Sequence, residues 1–192
     1  MEIKNYAEIK TERLFLRPFS ENDAESASFN SRQPKVAAQM SDMILMTKEE
    51  AADWIAQTRT WFNVDDNICQ ILAVERLEDK KLLGLVGVAA KENLCGEVEV
   101  LFGITDSEQN KGYATEAAKA LINWTFTYCK IDYLVAIIKP ENYASLKVVE
   151  KLGFKYVEQR ELEYDNNFTK FNYYRLYRTV LKSLQRIDLE LN

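Results

Sequence analysis

The stretch Gln109-Asn110-Lys111-Gly112-Tyr113-Ala114 follows an apolar run, Val98 to Ile104, that reads as a strand. It opens an apolar-periodic run, Ala114 to Cys129, that reads as a helix. A strand, a turn with glycine and a helix start together make a receptor for phosphate groups. The first N–H groups of a helix lack partners, and the macrodipole adds partial positive charge there. Gly112 lets the backbone approach a ligand closely, and Lys111 supplies a charge. Taken alone, one glycine in such a turn is a common structural device. The chain has no histidine. That excludes His-based zinc sites, Ser-His-Asp triads and Cys-His nucleophile pairs. Acid–base chemistry therefore falls to carboxylates, Tyr, Lys, Cys, water or the backbone. Cys69, Cys95 and Cys129 are odd in number and far apart, so neither a disulfide framework nor a close-spaced metal motif is expected. With no activating neighbour, Cys95 and Cys129 read as packing residues.

The elements that position these groups form one domain. The 192 residues are 47% hydrophobic and 29% charged, ordinary globular values. We take 1–192 as a single domain with a core of about 11–180 and a tail from 181 to 192. A net charge of -5 argues against a nucleic-acid binder with a broad phosphate-neutralising surface, and mildly favours a cationic partner such as an amine. The first ten residues are mixed charged and polar, unlike a signal peptide, and no apolar run reaches transmembrane length. No membrane partner and a cytoplasmic setting are expected.

Thr11 to Arg17 reads as a strand stopped by Pro18. Ser20 or Asn22 caps a helix through Ala24 to Phe29, and Thr47 with Glu50 forms a capping box for a helix reaching Phe62. Ile68 to Leu77 and Leu82 to Ala90 read as an antiparallel hairpin turning at Glu78-Asp79-Lys80. Gly96 to Thr105 is the next strand, with Glu97, Glu99, Leu101 and Gly103 on one face. The helix after Gly112 shows its apolar side at Ala114, Ala117, Ala118, Leu121, Ile122 and Thr125. Tyr133 to Ile138 reads as a strand, Ala144 to Leu152 as a helix closed by Gly153, and Lys155 to Tyr164 with Asn172 to Val180 as a last hairpin across Asp165-Asn166-Asn167. The order is that of an α+β fold. A nucleotide-binding Rossmann domain is disfavoured, since only one strand-loop-helix unit is present and G-x-G-x-x-G is absent.

In this order the chain resembles the GCN5-related N-acetyltransferase (GNAT) family, in its RimJ/RimL-like branch. Three segments carry the likeness: Thr11 to Pro18 with Asp23-Ala24-Glu25, Gln109 to Ala114 as a Q/R-x-x-G-x-G/A loop, and Asn142-Tyr143-Ala144-Ser145 followed by Glu150-Lys151-Leu152-Gly153-Phe154. The resemblance implies a GNAT fold: a mixed, mostly antiparallel central sheet with helices on both faces. The strands ending at Ile104 and starting at Tyr133 would splay to leave a cleft for acetyl-CoA, the co-substrate. Its pantetheine arm would pair with Phe102, Gly103 and Ile104, and its pyrophosphate would meet Gln109, Asn110, Lys111, Gly112, Tyr113 and Ala114. Asn142 would contact the arm, alone or while capping a helix. Ser145, or solvent, would protonate the departing thiolate. Glu99 lies ten residues before Gln109, where many relatives carry the general base, and Glu97 competes for that role. Val149 stands where many relatives place a Tyr acid, which leaves Tyr143 or another Tyr as a substitute. No metal is implied.

The function expected from this likeness is acetyl transfer from acetyl-CoA to a primary amine by direct attack. The branch favours a protein or peptide N-terminal α-amine. A polyamine or aminoglycoside-type small molecule is the rival acceptor, and a non-catalytic CoA-binding module is the rival of a different class. The loops around Gln33 to Met46 and Asp165 to Lys170 carry no readable acceptor code. Trp54, Trp61, Phe62 and Phe29 read mostly as core, with one or two touching substrate. A homodimer through the last hairpin or the tail fits the family.

Overall fold

The computed structural model describes residues 6–62, 68–164 and 167–178. Its strands are β1 (Ile9–Lys10), β2 (Leu14–Arg17), β3 (Cys69–Arg76), β4 (Leu82–Ala90), β5 (Val98–Ile104), β6 (Tyr133–Ile138), β7 (Lys155–Tyr164) and β8 (Asn167–Tyr177). Its α-helices are α1 (Ala24–Ser31), α2 (Pro34–Gln39), α3 (Lys48–Thr60), α4 (Tyr113–Tyr128) and α5 (Tyr143–Lys151). The strands make one sheet in the order β1-β2-β3-β4-β5-β6-β8-β7. Every neighbouring pair is antiparallel except β5 and β6.

Period-two alternation sends neighbouring side chains of one strand to two different cores. Leu72 and Val74 of β3 pack with Ala117, Ala118, Leu121 and Ile122 of α4. Their neighbours Ile71 and Ala73 pack with Ala24 and Ala27 of α1 and with Ala51 and Ile55 of α3. Helices thus cover both faces, as the expected fold requires.

The element that matters for a site is the fork. β5 pairs with β4 along its whole length, from Val98↔Ala90 to Ile104↔Gly84. β6 pairs with β8 along its whole length, from Tyr133↔Tyr177 to Ile138↔Asn172. Between β5 and β6 there is one bridge, Glu99↔Val135. Beyond it the two strands part, so the cleft edge of β5 from Val100 onward has no strand beside it.

Several elements depart from their sequence reading. The first strand is shorter, because Thr11 turns the chain. Its Oγ1 accepts the Leu14 N–H at 3.0 Å, and β1 folds back on β2. Ser20 opens a one-turn 3-10 helix, Glu21–Asp23, that leads into α1. Thr47 caps α3 as expected, accepting the Glu50 N–H at 3.1 Å. The Glu50 carboxylate, however, turns back to the Met46 N–H, and α3 ends at Thr60 rather than Phe62. Neither α2 nor the 3-10 turn Ser41–Met43 was foreseen; neither contains a buried residue, so no apolar period marks them. β8 begins at Asn167 rather than Asn172, since the exposed Phe168 and Lys170 hide the strand pattern. Val180, the tail and the Asp165-Asn166 turn lie outside the described residues. Among those residues no helix is long and apolar enough to cross a membrane.

Candidate active site

Two cavities open where β5 and β6 part. The larger, about 450 Å³, runs from Phe102, Gly103 and Ile104 to Gln109, Asn110, Gly112, Tyr113 and Ala114, with Asn142, Tyr143 and Ser145 opposite. The smaller, about 140 Å³, is lined by Glu99 and Leu101 of β5, Ile137 of β6, Lys91, Asp42 and Tyr164. They share Gln39, Met40, Phe102, Asn142 and Ser145. Every residue expected at the cofactor site therefore lies on one cavity, except Lys111.

Lys111 is held elsewhere. Its Nζ donates to Glu108 Oε2 at 2.8 Å, beside Arg76 at 3.0 Å and Lys81 at 2.9 Å on the same carboxylate. Hydrogen bonds from Lys111 and Lys81 hold the Glu108 carboxyl down to about 2. Arg76 and Lys81 come from the ends of the β3–β4 hairpin, so this cluster fixes the loop to the sheet. Arg13 fastens its other side. Arg13 Nη1 donates to the Lys111 carbonyl at 3.0 Å, its guanidinium pairs with Glu116 at 2.6 Å, and it lies 4.6 Å from the Tyr113 ring centre. Gln109 also shapes the turn, because its Nε2 donates to the Ile104 carbonyl at 2.9 Å.

Gly112 has φ 85° and caps α4. Such a conformation strains any residue with a Cβ, and a Cβ there would come 3.3 Å from Arg13 Nη2. The first N–H groups of α4, starting at Tyr113, face this end of the larger cavity with no partner in their own helix. An elongated cavity, an unpaired β5 edge and a helix N-terminus fit a chain that ends in phosphates.

The smaller cavity holds Glu99. The residue is 9% exposed. Burial pushes its carboxyl up to about 7, and the nearby Asp42 pushes the same way. The Lys91 charge, with Nζ at 3.8 Å, and the Ile137 N–H oppose this. A carboxyl tuned to near neutrality can hold or take a proton under ordinary conditions. Glu97, one residue before β5, lines neither cavity. Its oxygens accept from Tyr133 at 2.9 Å, Tyr173 at 2.7 Å, Arg160 at 3.1 Å and Arg175 at 2.9 Å. Burial pushes its carboxyl up, but these four hydrogen bonds outweigh burial and hold it below the usual range.

At the start of α5, Asn142 Oδ1 accepts the Ser145 N–H at 3.1 Å, so Asn142 both caps the helix and lines the cleft. Ser145 is half-buried where the cavities meet. Val149 is fully buried in the main core, and Tyr143 is exposed at the rim of the larger cavity. Tyr164 donates to Asp42 Oδ1 at 2.7 Å across the smaller cavity, and Lys139 Nζ lies 5.2 Å from its ring and 3.2 Å from the Ala38 carbonyl. Asp42, Lys91, Lys139 and Met40 were not singled out in the sequence; no periodic pattern marks them.

A model of the acetyltransferase (GNAT) domain family matches residues 13–155. The chain belongs to this family. This GNAT chain is an N-acetyltransferase of a family whose acyl donor is acetyl-CoA. It is 28% identical to the uncharacterized N-acetyltransferase YnaD of Bacillus subtilis over 149 residues, 77% of this chain and 82% of that protein. Its fold is similar to that of Mycobacterium smegmatis RimJ, solved with CoA-disulfide, at 17% identity and TM-score 0.73, covering 88% of this chain and 83% of that one. It is also similar to that of a ribosomal-protein-S5-alanine acetyltransferase from Vibrio fischeri, at 16% identity and TM-score 0.71, covering 89% and 96%. Likenesses this remote carry the fold alone.

Proposed function

We propose that this GNAT chain acetylates a protein or peptide N-terminal α-amine by direct transfer from acetyl-CoA, as in the RimJ/RimL-like branch. The observation that carries direct transfer is Glu99: a buried carboxyl near neutrality, at the fork, facing the cavity next to the donor cleft. An amine must be neutral to attack a thioester, and Glu99, through water, takes its proton. Backbone N–H groups along Phe102 to Ile104 polarise the thioester carbonyl. Holding both substrates in register at the meeting of the two cavities supplies much of the rate. Glu97, saturated by four donors, is set aside as the base. The small volume of the second cavity, about 140 Å³, suits the free end of a chain.

Ser145 sits where the thiolate departs, but a thiolate leaves without strong acid help. Ser145→Ala is expected to lower kcat by no more than about tenfold, below the range for an essential general acid. A fall of a hundredfold or more, measured by thiol release, would restore the acid role.

A second reading rests on Asp42. Two carboxylates, Asp42 and Glu99, face one small cavity beside Lys91 and Lys139, and each carboxylate can pair with one end of a small dication such as a polyamine. Thiol release from acetyl-CoA against N-terminal peptides, polyamines and aminoglycosides separates the two. Turnover with peptides alone is the expected result. Turnover with polyamines alone overturns it in favour of the second reading.

A further inference from the structure

Met40, just past the end of α2, lines three cavities at once, and among the described residues it is alone in doing so. Two are the cavities of the candidate active site. The third, about 30 Å³, lies behind Met40 among Phe19, Val36, Met43, Leu45, Trp54 and Leu85. Its lining is mostly apolar. Gly103 of β5 explains how one side chain reaches all three. A Cβ on Gly103 would stand 2.9 Å from Met40 Sδ, so the missing side chain leaves the room that the thioether fills.

This position has a consequence for the acyl group. On the proposed function, on which this inference rests, the thioester lies where the two larger cavities meet. The acyl carbons then have Met40 as their boundary on the side of the apolar cavity. We propose that Met40 is the residue that sets acyl-chain length. Its side chain stops the acyl site at an acetyl group and separates that site from a small apolar space that, joined to the room the thioether fills, would take the further carbons of a three- or four-carbon acyl chain. A purely structural Met40 would serve only to pack α2 on β5, and its truncation would weaken all donors alike. A gate changes their order. The flexible, unbranched thioether suits this task, since it fills an irregular gap with little strain.

The test needs no acceptor. Binding of CoA, acetyl-CoA, propionyl-CoA and butyryl-CoA to the full chain is measured by titration calorimetry for the wild type, Met40→Ala, Met40→Val and Met40→Leu. The wild type is expected to bind butyryl-CoA no more tightly than acetyl-CoA. Met40→Ala should shift the butyryl-to-acetyl affinity ratio about tenfold toward butyryl-CoA, the worth of burying two more methylenes. Met40→Val, a smaller cut that serves should the alanine variant fold poorly, should shift it the same way by less. Met40→Leu should keep the wild-type order. An unchanged ratio in a folded Met40→Ala or Met40→Val variant overturns the inference and leaves the proposed function standing. A wild type that binds no CoA species overturns the proposed function, and this inference with it.

Discussion

Glu99→Gln is expected to lower kcat by about 10²- to 10⁴-fold, the usual worth of a positioned general base, with acetyl-CoA affinity little changed. The substitution keeps the side-chain shape and an oxygen to accept the Ile137 N–H, but removes the proton acceptor. Affinity should hold because Glu99 lines the smaller cavity and not the larger one. The wild-type pH profile should rise through about 7, where burial has put this carboxyl, and the variant should lose that limb. Stability should move the opposite way. The folded carboxyl titrates near 7, above its unfolded value of about 4.3. Between those values the native state holds a proton that the unfolded chain has released, so the group lowers stability progressively as pH rises. Glutamine never ionises. The variant should therefore melt above the wild type at pH 8 and level with it near pH 4. Unimpaired turnover with the acid limb intact would remove Glu99 from the mechanism.

The contrast between Glu99 and Glu97 shows where sequence reading stops. Period two puts both on one face of β5, and no further pattern separates them. What separates them is tertiary. Glu97 meets Tyr133 from β6, Tyr173 and Arg175 from β8 and Arg160 from β7, residues far along the chain. Glu99 meets apolar walls and a lysine at 3.8 Å. Lys111 is a similar case. Its place beside Gly112 invites a phosphate-binding reading, yet Glu108, with Arg76 and Lys81 from the β3–β4 hairpin, claims its charge. The turn at Gly112 was legible because φ 85° demands glycine, and local geometry leaves a local trace. Asn142 was legible for the same reason, as a cap at the start of α5. The wall of the smaller cavity was not. α2 and the turn after it have no buried residue to set a period, and Asp42 acquires its role only by meeting Tyr164 from β7.

Glu97→Ala is expected to cost about 1–3 kcal/mol of stability, between the worth of an exposed ion pair and that of breaking a fully buried one from one side. The Glu97 side chain is 13% exposed, and its removal leaves Arg160 and Arg175, each about three-quarters shielded, without their shared carboxylate. The effect should exceed that of an exposed pair because Glu97 is a staple between half-sheets. β5 and β6 share one bridge, and Glu97, just before β5, reaches three strands of the other half. Urea unfolding measures this, and a loss under about 1 kcal/mol would reduce the cluster to a surface ion pair. The pH dependence has a definite sign. The folded Glu97 carboxyl titrates below its unfolded value, so its contribution is present above about pH 4.3 and is lost as pH falls through the folded value. Wild-type stability should thus fall on acidification more steeply than that of Glu97→Ala, and the two should converge at low pH. The staple also ties β5 to the far half-sheet, and so bears on how β5 and β6 part and where the proposed base Glu99 lies. A folded Glu97→Ala or Glu97→Gln protein should therefore show a raised acceptor KM and a displaced acid limb. Two carboxylates two residues apart would then answer pH with opposite signs: ionisation of Glu97 holds the sheet halves together, and ionisation of Glu99, the proposed base, lowers stability.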